Sequence, residues 1–261
     1  MVRRPLGNHH DGPDTLLVTS ETTHTEPVAA ETEQLGSLIA PVRYVLWDLD
    51  GPMCRLFAGY PADGIAHELV ELIDRLGMGS LLTEEERSGT DPHFVLPGVH
   101  RRHRGSDLVF ELEAWLTRRE LEAVPRALPT PYADPLIRTW SALGARFAIT
   151  TNNSALAATA YIESRRLTDC FPYVYGRTQN LDLMKPNPYC LEQAVKAMGA
   201  TPSATLMIGD SPTDLEAAQR AGVSFLGYAC NERKDRLLRE AGATSIVGSL
   251  EEVLKLLRGK D

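Results

Sequence analysis

Residues 42–52 read Val-Arg-Tyr-Val-Leu-Trp-Asp-Leu-Asp-Gly-Pro, and this stretch is the strongest indication of the fold in the sequence. It begins as a short run of apolar, β-favouring side chains, which stops at Asp48. Near-continuous apolar runs of this kind are typical of strands in a parallel sheet that is covered on both faces. Comparable runs occur at residues 145–150, 204–208, 223–228 and 245–247.

Amphipathic helical patterns with recognisable ends separate these runs. Asp134-Pro135 opens one such pattern with proline near the first helical position, and Gly144 closes it. Ser249 and Glu252 form a capping box at the start of the last pattern. Because strand and helix alternate from residue 131 to the end, the sequence predicts an α/β fold with a doubly wound, Rossmann-like parallel sheet.

The domain organisation follows from changes in pattern along the chain. Residues 53–130 show helical periodicity, as at Ile65, Leu69 and Ile73, but no convincing strand. We therefore expect an inserted all-helical cap at 53–130, between two segments of the α/β core at 42–52 and 131–261. Residues 1–41 contain no aromatic residue and carry an excess of acids, which predicts a disordered or loosely ordered acidic tail.

Composition excludes several classes of protein. The net charge of −8 over 261 residues shows no basic excess, which argues against a nucleic-acid binder. The chain has no apolar run long enough to span a bilayer and no secretory signal at its start, so we expect no membrane partner. The four cysteines, at positions 54, 170, 190 and 230, are scattered along the chain. We therefore expect them to be reduced thiols in a cytoplasmic protein.

Polar side chains follow the predicted strands where those strands end. Because ligands bind at the carboxyl ends of strands in open parallel sheets, we expect these side chains to converge. Several carboxylates at one edge need a cation, and an oxygen-only ligand set favours Mg²⁺ over zinc. The side chains in question are Asp48, Asp50, Thr151, Asn152, Asp210 and Asp214, with Lys185 in a loop before a helix.

Four stretches resemble, in order and in spacing, the four motifs of the haloacid dehalogenase superfamily. The resemblance covers about residues 42–255, and the position of the cap is similar to the phosphoglycolate-phosphatase-like branch. Each motif alone is a weak signal, but four in register are a strong one. They are Asp48-Leu49-Asp50-Gly51-Pro52, Ile149-Thr150-Thr151-Asn152, Lys185-Pro186-Asn187-Pro188 and the stretch from Gly209 to Asp214.

The resemblance implies a phosphoric monoester hydrolase that forms an aspartyl-phosphate intermediate. Asp48 would be the nucleophile, and Asp50 would be the general acid toward the leaving alcohol and then the base for water. Mg²⁺ would be bound by the carboxylates of Asp48 and Asp210 and by the backbone carbonyl of Asp50. Asp214 would support the metal or Lys185.

The resemblance also implies how the phosphate is held. Thr151, Asn152 and Lys185 would bind phosphoryl oxygens, and Gly51 would let the loop turn close to the phosphate. Pro52 departs from the Thr or Val that is usual in the first motif, and proline has no backbone N–H to donate. The expected partner is a small phosphorylated metabolite, and the pattern favours no particular oligomeric state.

Other readings of the same motifs stay open at this point. Asp50 argues against a dehalogenase, and the absence of lysine from residues 53–130 argues against a phosphonate hydrolase. A sugar phosphomutase or phosphotransferase shares every core motif, and a non-catalytic binding or regulatory module is the alternative from another class. A basic run in the cap at 100–104, after His93, is either a solvated face or a contact for an anionic part of the substrate.

Overall fold

A computed structural model describes residues 25–259, with side chains described from residue 32 onward. Eight strands and eleven α-helices occur within this range. The strands are β1 (Tyr44–Trp47), β2 (Cys54–Arg55), β3 (Leu128–Pro129), β4 (Arg146–Ser154), β5 (Tyr173–Arg177), β6 (Thr205–Gly209), β7 (Ser224–Tyr228) and β8 (Ile246–Val247).

The helices alternate with the strands of the core and fill the region between β2 and β3. They are α1 (Thr25–Ile39), α2 (Ala62–Arg75), α3 (Glu84–Arg87), α4 (Pro92–Arg102), α5 (Asp107–Ala123), α6 (Ala133–Ala142), α7 (Ala155–Ser164), α8 (Tyr189–Met198), α9 (Pro212–Ala221), α10 (Glu232–Glu240) and α11 (Leu250–Arg258). The capping box that Ser249 and Glu252 predict is present at the start of α11. None of the helices in the described range is both long and apolar enough to cross a membrane.

Six strands form one parallel sheet in the order β5-β4-β1-β6-β7-β8. The central strand β1 pairs with β4 on one side and with β6 on the other, so that Trp47 lies beside both Ile149 and Ile208. The predicted doubly wound α/β sheet is therefore confirmed. The strand order also places the ends of β4, β1 and β6 next to one another.

The edge strand β5 was not predicted from the sequence. Its residues Tyr173 to Gly176 are only half-buried, as suits a strand at the edge of the sheet, whereas the central strands β1 and β6 are almost wholly buried. At Gly176 a Cβ atom would overlap the backbone around Asn153 and Ala155. Glycine therefore allows β5 to pass close to the junction between β4 and α7.

Alternate residues of β1 enter different halves of the core, as the two-residue period of a strand requires. Val45 and Trp47 pack into the cluster beneath α6, α7 and α11, where Trp47 meets Phe147 edge-on with ring centroids 6.3 Å apart. Leu46 points to the opposite face and packs against α8 and α9. Both faces of the sheet are covered, which explains why its strands are almost wholly apolar.

The expected tail needs a correction over its second half. Residues 25–39 form helix α1, and Leu35 and Ile39 are buried in the main core cluster. Burial of these side chains stabilises the helix on the core, which the low aromatic content of the segment did not reveal. The prediction for residues 1–24 lies outside the described residues.

A second hydrophobic cluster lies among helices α2, α4 and α5, within the range predicted as a cap. Ile65, Leu69, Val95 and Leu112 are fully buried in it. The range predicted as an all-helical cap also contains a short antiparallel ribbon, which β2 and β3 form at its two ends. The boundaries of the cap at residues 53 and 130 stay a prediction.

A buried ion pair joins the cap helices to the sheet. The Glu120 carboxylate of α5 accepts hydrogen bonds from Arg177 at the end of β5, at 2.7 and 3.1 Å. The backbone N–H of Ser154 donates to the same carboxylate at 2.8 Å. Burial raises the pKa of Glu120, but the charge of Arg177 and the hydrogen bonds from His93 and Arg177 together outweigh this and hold the pKa well below its usual range.

Replacement of Glu120 by alanine should destabilise the protein strongly. Among the described residues, it would leave the fully buried guanidinium of Arg177 with Glu113 as its remaining charged partner, at 3.2 Å. Breaking a buried pair from one side costs roughly 3–5 kcal/mol. We expect a loss of that order in the free energy of unfolding, measured by denaturant titration.

Glu111→Ala on the exposed face of the same helix is the matched control and should change stability by no more than about 0.5 kcal/mol. Similar small losses in both variants would contradict the role given to the Glu120–Arg177 pair.

Candidate active site

A cavity of about 210 Å³ lies at the carboxyl ends of β4, β1 and β6, on the side that faces the cap. The structure brings the predicted side chains together there, since all but Lys185 follow or end one of these strands, and Lys185 comes from the loop before α8. The lining residues are Asp48, Asp50, Asp91, His93, Thr151, Asn152, Asn153, Lys185, Asp210, Ser211, Thr213, Asp214 and Lys234.

The ammonium of Lys185 is buried at the base of the cavity. It donates to Asp48 Oδ1 at 2.9 Å, to the Thr150 carbonyl at 2.9 Å and to Asp214 Oδ1 at 2.5 Å. Burial lowers the pKa of Lys185, but the charges of Asp214 and Asp48 outweigh it and hold the pKa above its usual value. Lys185 is therefore a fixed positive charge at neutral pH.

Asp48 follows β1 and is 7% exposed. Burial raises the pKa of Asp48 to about 6, although the neighbouring Lys185 ammonium opposes the shift. The side chain is thus mainly a carboxylate at neutral pH, as a nucleophile must be. One oxygen accepts the Lys185 hydrogen bond.

Asp50 lies two residues farther along and has a different environment. Its Oδ1 accepts a hydrogen bond from the backbone N–H of Leu56 at 2.8 Å, which fixes the carboxyl group. Burial raises the pKa of Asp50, and the Leu56 N–H only partly offsets this. A raised pKa suits a group that donates a proton to a leaving alcohol near neutral pH.

Asp48, Asp210 and Asp214 form a cluster of carboxylates whose oxygens lie within 4.8 Å of one another. Asp214 has its oxygens engaged, since Oδ1 accepts from Lys185 and Oδ2 accepts from Ser211 Oγ at 2.7 Å and from two backbone N–H groups. Asp48 and Asp210 are therefore the side chains best placed to ligate a cation. Hard oxygen ligands with an excess of negative charge fit Mg²⁺.

Gly51 makes the close approach of the loop to Asp210 possible. Its backbone has a φ of 114°, and a Cβ atom at this position would overlap the Asp210 carboxylate. The Gly51 carbonyl is held by the Thr130 hydroxyl at 2.5 Å. This glycine is therefore needed for the position of the Asp210 carboxylate, and its closeness to phosphate stays a prediction.

Thr151 and Asn152 line the cavity where β4 passes it. The Thr151 hydroxyl donates to Asn153 Oδ1 at 3.1 Å. The Asn152 side chain accepts from the backbone N–H of Lys185 at 2.8 Å and donates to the Lys185 carbonyl at 3.1 Å. Asn152 thus fixes the loop that carries Lys185, and the binding of phosphate by Thr151 and Asn152 stays a prediction.

Sequence reasoning missed Lys234, whose ammonium contacts the Asp210 carboxylate. Lys234 lies in the first turn of α10, whose N-cap is Asn231. Burial lowers the pKa of Lys234, and the charges of Asp50, Asp48 and Asp91 oppose the shift. No motif marks this residue in the sequence. Lys234 reaches the cavity from helix α10, which follows β7 and lies outside the four motifs.

The cap contributes His93, and the basic run that follows it lies elsewhere. His93 Nε2 is 3.0 Å from Glu120 Oε1, and Nδ1 is 3.5 Å from Asp91. Burial lowers the pKa of His93, but its hydrogen bond to Glu120 and the charge of Asp91 outweigh it and raise the pKa. Within the run at 100–104, Arg102 pairs with Glu86 and Arg104 pairs with Asp182, and none of the run lines the cavity.

Cys54 lies beside the loop that carries Asp48 and Asp50, but it has the environment of a structural thiol. It is fully buried, and its Sγ lies 3.6 Å from the Leu49 carbonyl. Burial, together with the charges of Asp50 and Asp48, raises the pKa of Cys54 well above its usual value. A thiol held in its neutral form is a poor nucleophile or metal ligand.

Comparison with known proteins agrees with this geometry. The sequence model of the haloacid dehalogenase-like hydrolases matches residues 42–222. The chain belongs to this family. The resemblance found in the four motifs is thereby confirmed, and the hydrolase fold accounts for the convergence of these side chains at one sheet edge.

Individual relatives cover most of the chain. The phosphoglycolate phosphatase of Neisseria meningitidis is 28% identical over 236 residues, which are 86% of this chain and 97% of that protein. The phosphoglycolate phosphatase of Nitrosospira multiformis is 28% identical over 84% of this chain and 96% of its own length. A haloacid dehalogenase-like family protein from Streptococcus pneumoniae has the same fold, with a TM-score of 0.60 at 19% identity over 83% of this chain and 98% of that one.

Gly51→Ala should weaken cation binding. The added methyl group would displace the Asp210 carboxylate, and the positive φ would add strain of order 1–3 kcal/mol. We expect a lower melting temperature and a smaller rise in that temperature on addition of Mg²⁺, both measured by calorimetry.

Gly64→Ala is the matched control, because it lies within helix α2 and a Cβ there meets nothing within 4 Å. That variant should be as stable as the parent or more so, by about 0.5–1 kcal/mol, with an unchanged response to Mg²⁺. An undiminished response to Mg²⁺ in Gly51→Ala would contradict the proposed closeness of residue 51 to the cation.

Proposed function

We propose that this hydrolase is a Mg²⁺-dependent phosphatase, which cleaves a small-molecule phosphate monoester through an aspartyl-phosphate on Asp48. One observation carries the proposal. The Asp48 carboxylate lies at the end of the central strand, 2.9 Å from the Lys185 ammonium and within one carboxylate cluster with Asp210. A nucleophile, a fixed cation and a cation-binding carboxylate meet in one small cavity.

The proposed reaction has two steps, and Asp48 and Asp50 take part in both. Asp48 attacks phosphorus while the bond from phosphorus to the ester oxygen breaks, and Asp50 gives its proton to the departing alkoxide. Asp50, now ionised, then takes a proton from water as the water oxygen attacks the aspartyl-phosphate. Inorganic phosphate leaves, and Asp48 is again a carboxylate. The raised pKa of Asp50 matches its part in both steps.

The remaining groups balance charge on the transferred phosphoryl group. Mg²⁺, held by Asp48, Asp210 and the Asp50 carbonyl, would neutralise negative charge on phosphoryl oxygens. Lys185 supplies a permanent positive charge beside Asp48, and Thr151 offers a hydroxyl group at the same wall. Asp214 keeps Lys185 in place.

The size and position of the cavity favour a small metabolite. About 210 Å³ between the sheet edge and the cap has no room for a protein or a nucleic-acid chain. Two relatives that cover most of this chain are named phosphoglycolate phosphatases, which makes phosphoglycolate the first ester to test. The free state of all four cysteines supports a cytoplasmic location.

Asp48→Asn should abolish phosphatase activity. The amide is nearly isosteric with the carboxylate but is a poor nucleophile, so no aspartyl-phosphate would form. We expect phosphate release from phosphoglycolate by the parent with Mg²⁺, none with EDTA, and a loss of at least about a thousandfold in the variant.

A folded parent that releases no phosphate from a panel of small esters would overturn the phosphatase proposal. Interconversion of sugar phosphates by that protein would then support the phosphomutase alternative.

Asp50→Asn should slow the reaction according to the leaving group. An alkyl alcohol needs a proton as it departs, whereas para-nitrophenolate leaves unaided. We expect a loss of about 10²–10⁴-fold with phosphoglycolate and a much smaller loss for the first step with para-nitrophenyl phosphate, measured as the burst of nitrophenolate in rapid mixing. Equal losses in the first step for both esters would contradict the assignment of Asp50 as the general acid.

A further inference from the structure

Three cationic side chains line the active-site cavity among the described residues, and two of them have fixed partners. Lys185 donates to Asp48, to Asp214 and to the Thr150 carbonyl. His93 is held between Glu120 and Asp91. Neither can turn toward a new ligand without the loss of a buried ion pair.

Lys234 is the third of these cations, and its situation differs. Its side chain is 35% exposed, and its ion pair is with Asp210 alone among the described carboxylates. Asp210 is also a side chain that a Mg²⁺ ion in this site would need. A dication ligated by Asp210 would repel the ammonium group that contacts the same carboxylate. Cation binding would therefore drive Lys234 away from Asp210 and into the cavity.

The carboxylates near Lys234 are already partly neutralised by other partners. Asp91 also lines the cavity and would repel an anion. However, its Oδ1 accepts the backbone N–H of His93 at 2.8 Å and lies 3.5 Å from the His93 ring. Asp50 accepts the Leu56 N–H, and Asp48 accepts Lys185. Because each of these three carboxylates already accepts a hydrogen bond, the ammonium group of Lys234 would be available to an incoming substrate.

We propose that Lys234 binds a second negative charge on the leaving group of the substrate, so that the enzyme selects small phosphate esters that carry a carboxylate. The inference rests on the proposed phosphatase function and narrows its substrate class. The contact would be a charge-assisted hydrogen bond, shielded by the cavity walls. Lys234 would then be a specificity residue, since it touches the leaving group and takes no part in the transfer of the phosphoryl group.

The test compares two esters that differ in one charge. Phosphoglycolate carries a carboxylate, and ethyl phosphate is of similar size without one. We expect the parent to favour phosphoglycolate in kcat/KM, and Lys234→Met to lower the ratio of the two kcat/KM values about tenfold or more, mainly through KM. Lys234→Arg keeps the positive charge and should recover a large part of the ratio.

Arg236→Met is the matched control, because Arg236 is exposed on the same helix and does not line the cavity. It should leave both kcat/KM values unchanged. A Mg²⁺ titration followed by melting temperature provides a readout that does not depend on turnover. Lys234→Met should respond to lower Mg²⁺ concentrations than the parent, since the competitor for Asp210 is gone.

The outcomes separate this inference from the proposed function. Hydrolysis of both esters by the parent, with equal losses in Lys234→Met, would overturn the inference and leave the phosphatase intact. A parent without preference for phosphoglycolate would do the same, and so would a weaker response of Lys234→Met to Mg²⁺. A parent that hydrolyses neither ester would overturn both proposals together.

Discussion

The buried ammonium of Lys185 is the contact on which the arrangement of the site depends. It joins groups from three elements, namely Asp48 after β1, the Thr150 carbonyl of β4 and Asp214 in α9. Without it, two buried carboxylates would face each other uncompensated, which costs several kcal/mol or forces one to take up a proton. Both the ion pairs of Lys185 and the packing of the apolar core therefore require β4, β1 and β6 to be neighbours in the sheet.

The segment that carries Lys185 also contacts the cap. Leu181 and Met184 are buried in the cap's hydrophobic cluster, and Asp182 pairs with Arg104 at 2.9 Å. The Asn152 side chain holds the other end of the segment to the sheet. A displacement of the cap would therefore act on the backbone that positions Lys185. Together with the Glu120–Arg177 pair, this gives the cap two independent connections to the catalytic edge.

The features that depend on local hydrophobic periodicity could be predicted from the sequence. Asp48 and Asp210 stand directly after apolar strands, so the periodicity that predicts the sheet also places them at its edge. Strand β5 and helix α1 were missed because each buries only part of its surface, and the contacts that stabilise it come from distant segments. Lys234 and His93 reach the cavity from helices far away in the chain, and no spacing rule links them to the four motifs.

Local charge explains how an acidic protein can bind an anionic substrate. Five carboxylates line the cavity, against the ammonium groups of Lys185 and Lys234 and the His93 ring. With His93 protonated and all five carboxylates ionised, the lining has an excess of two negative charges, which repels a phosphate dianion. One dication would cancel that excess, and under the proposed role of Lys234 its binding at Asp210 would also move this ammonium group toward the substrate. On the proposed function, this charge balance would favour binding of the metal ion before the phosphate ester enters the cavity.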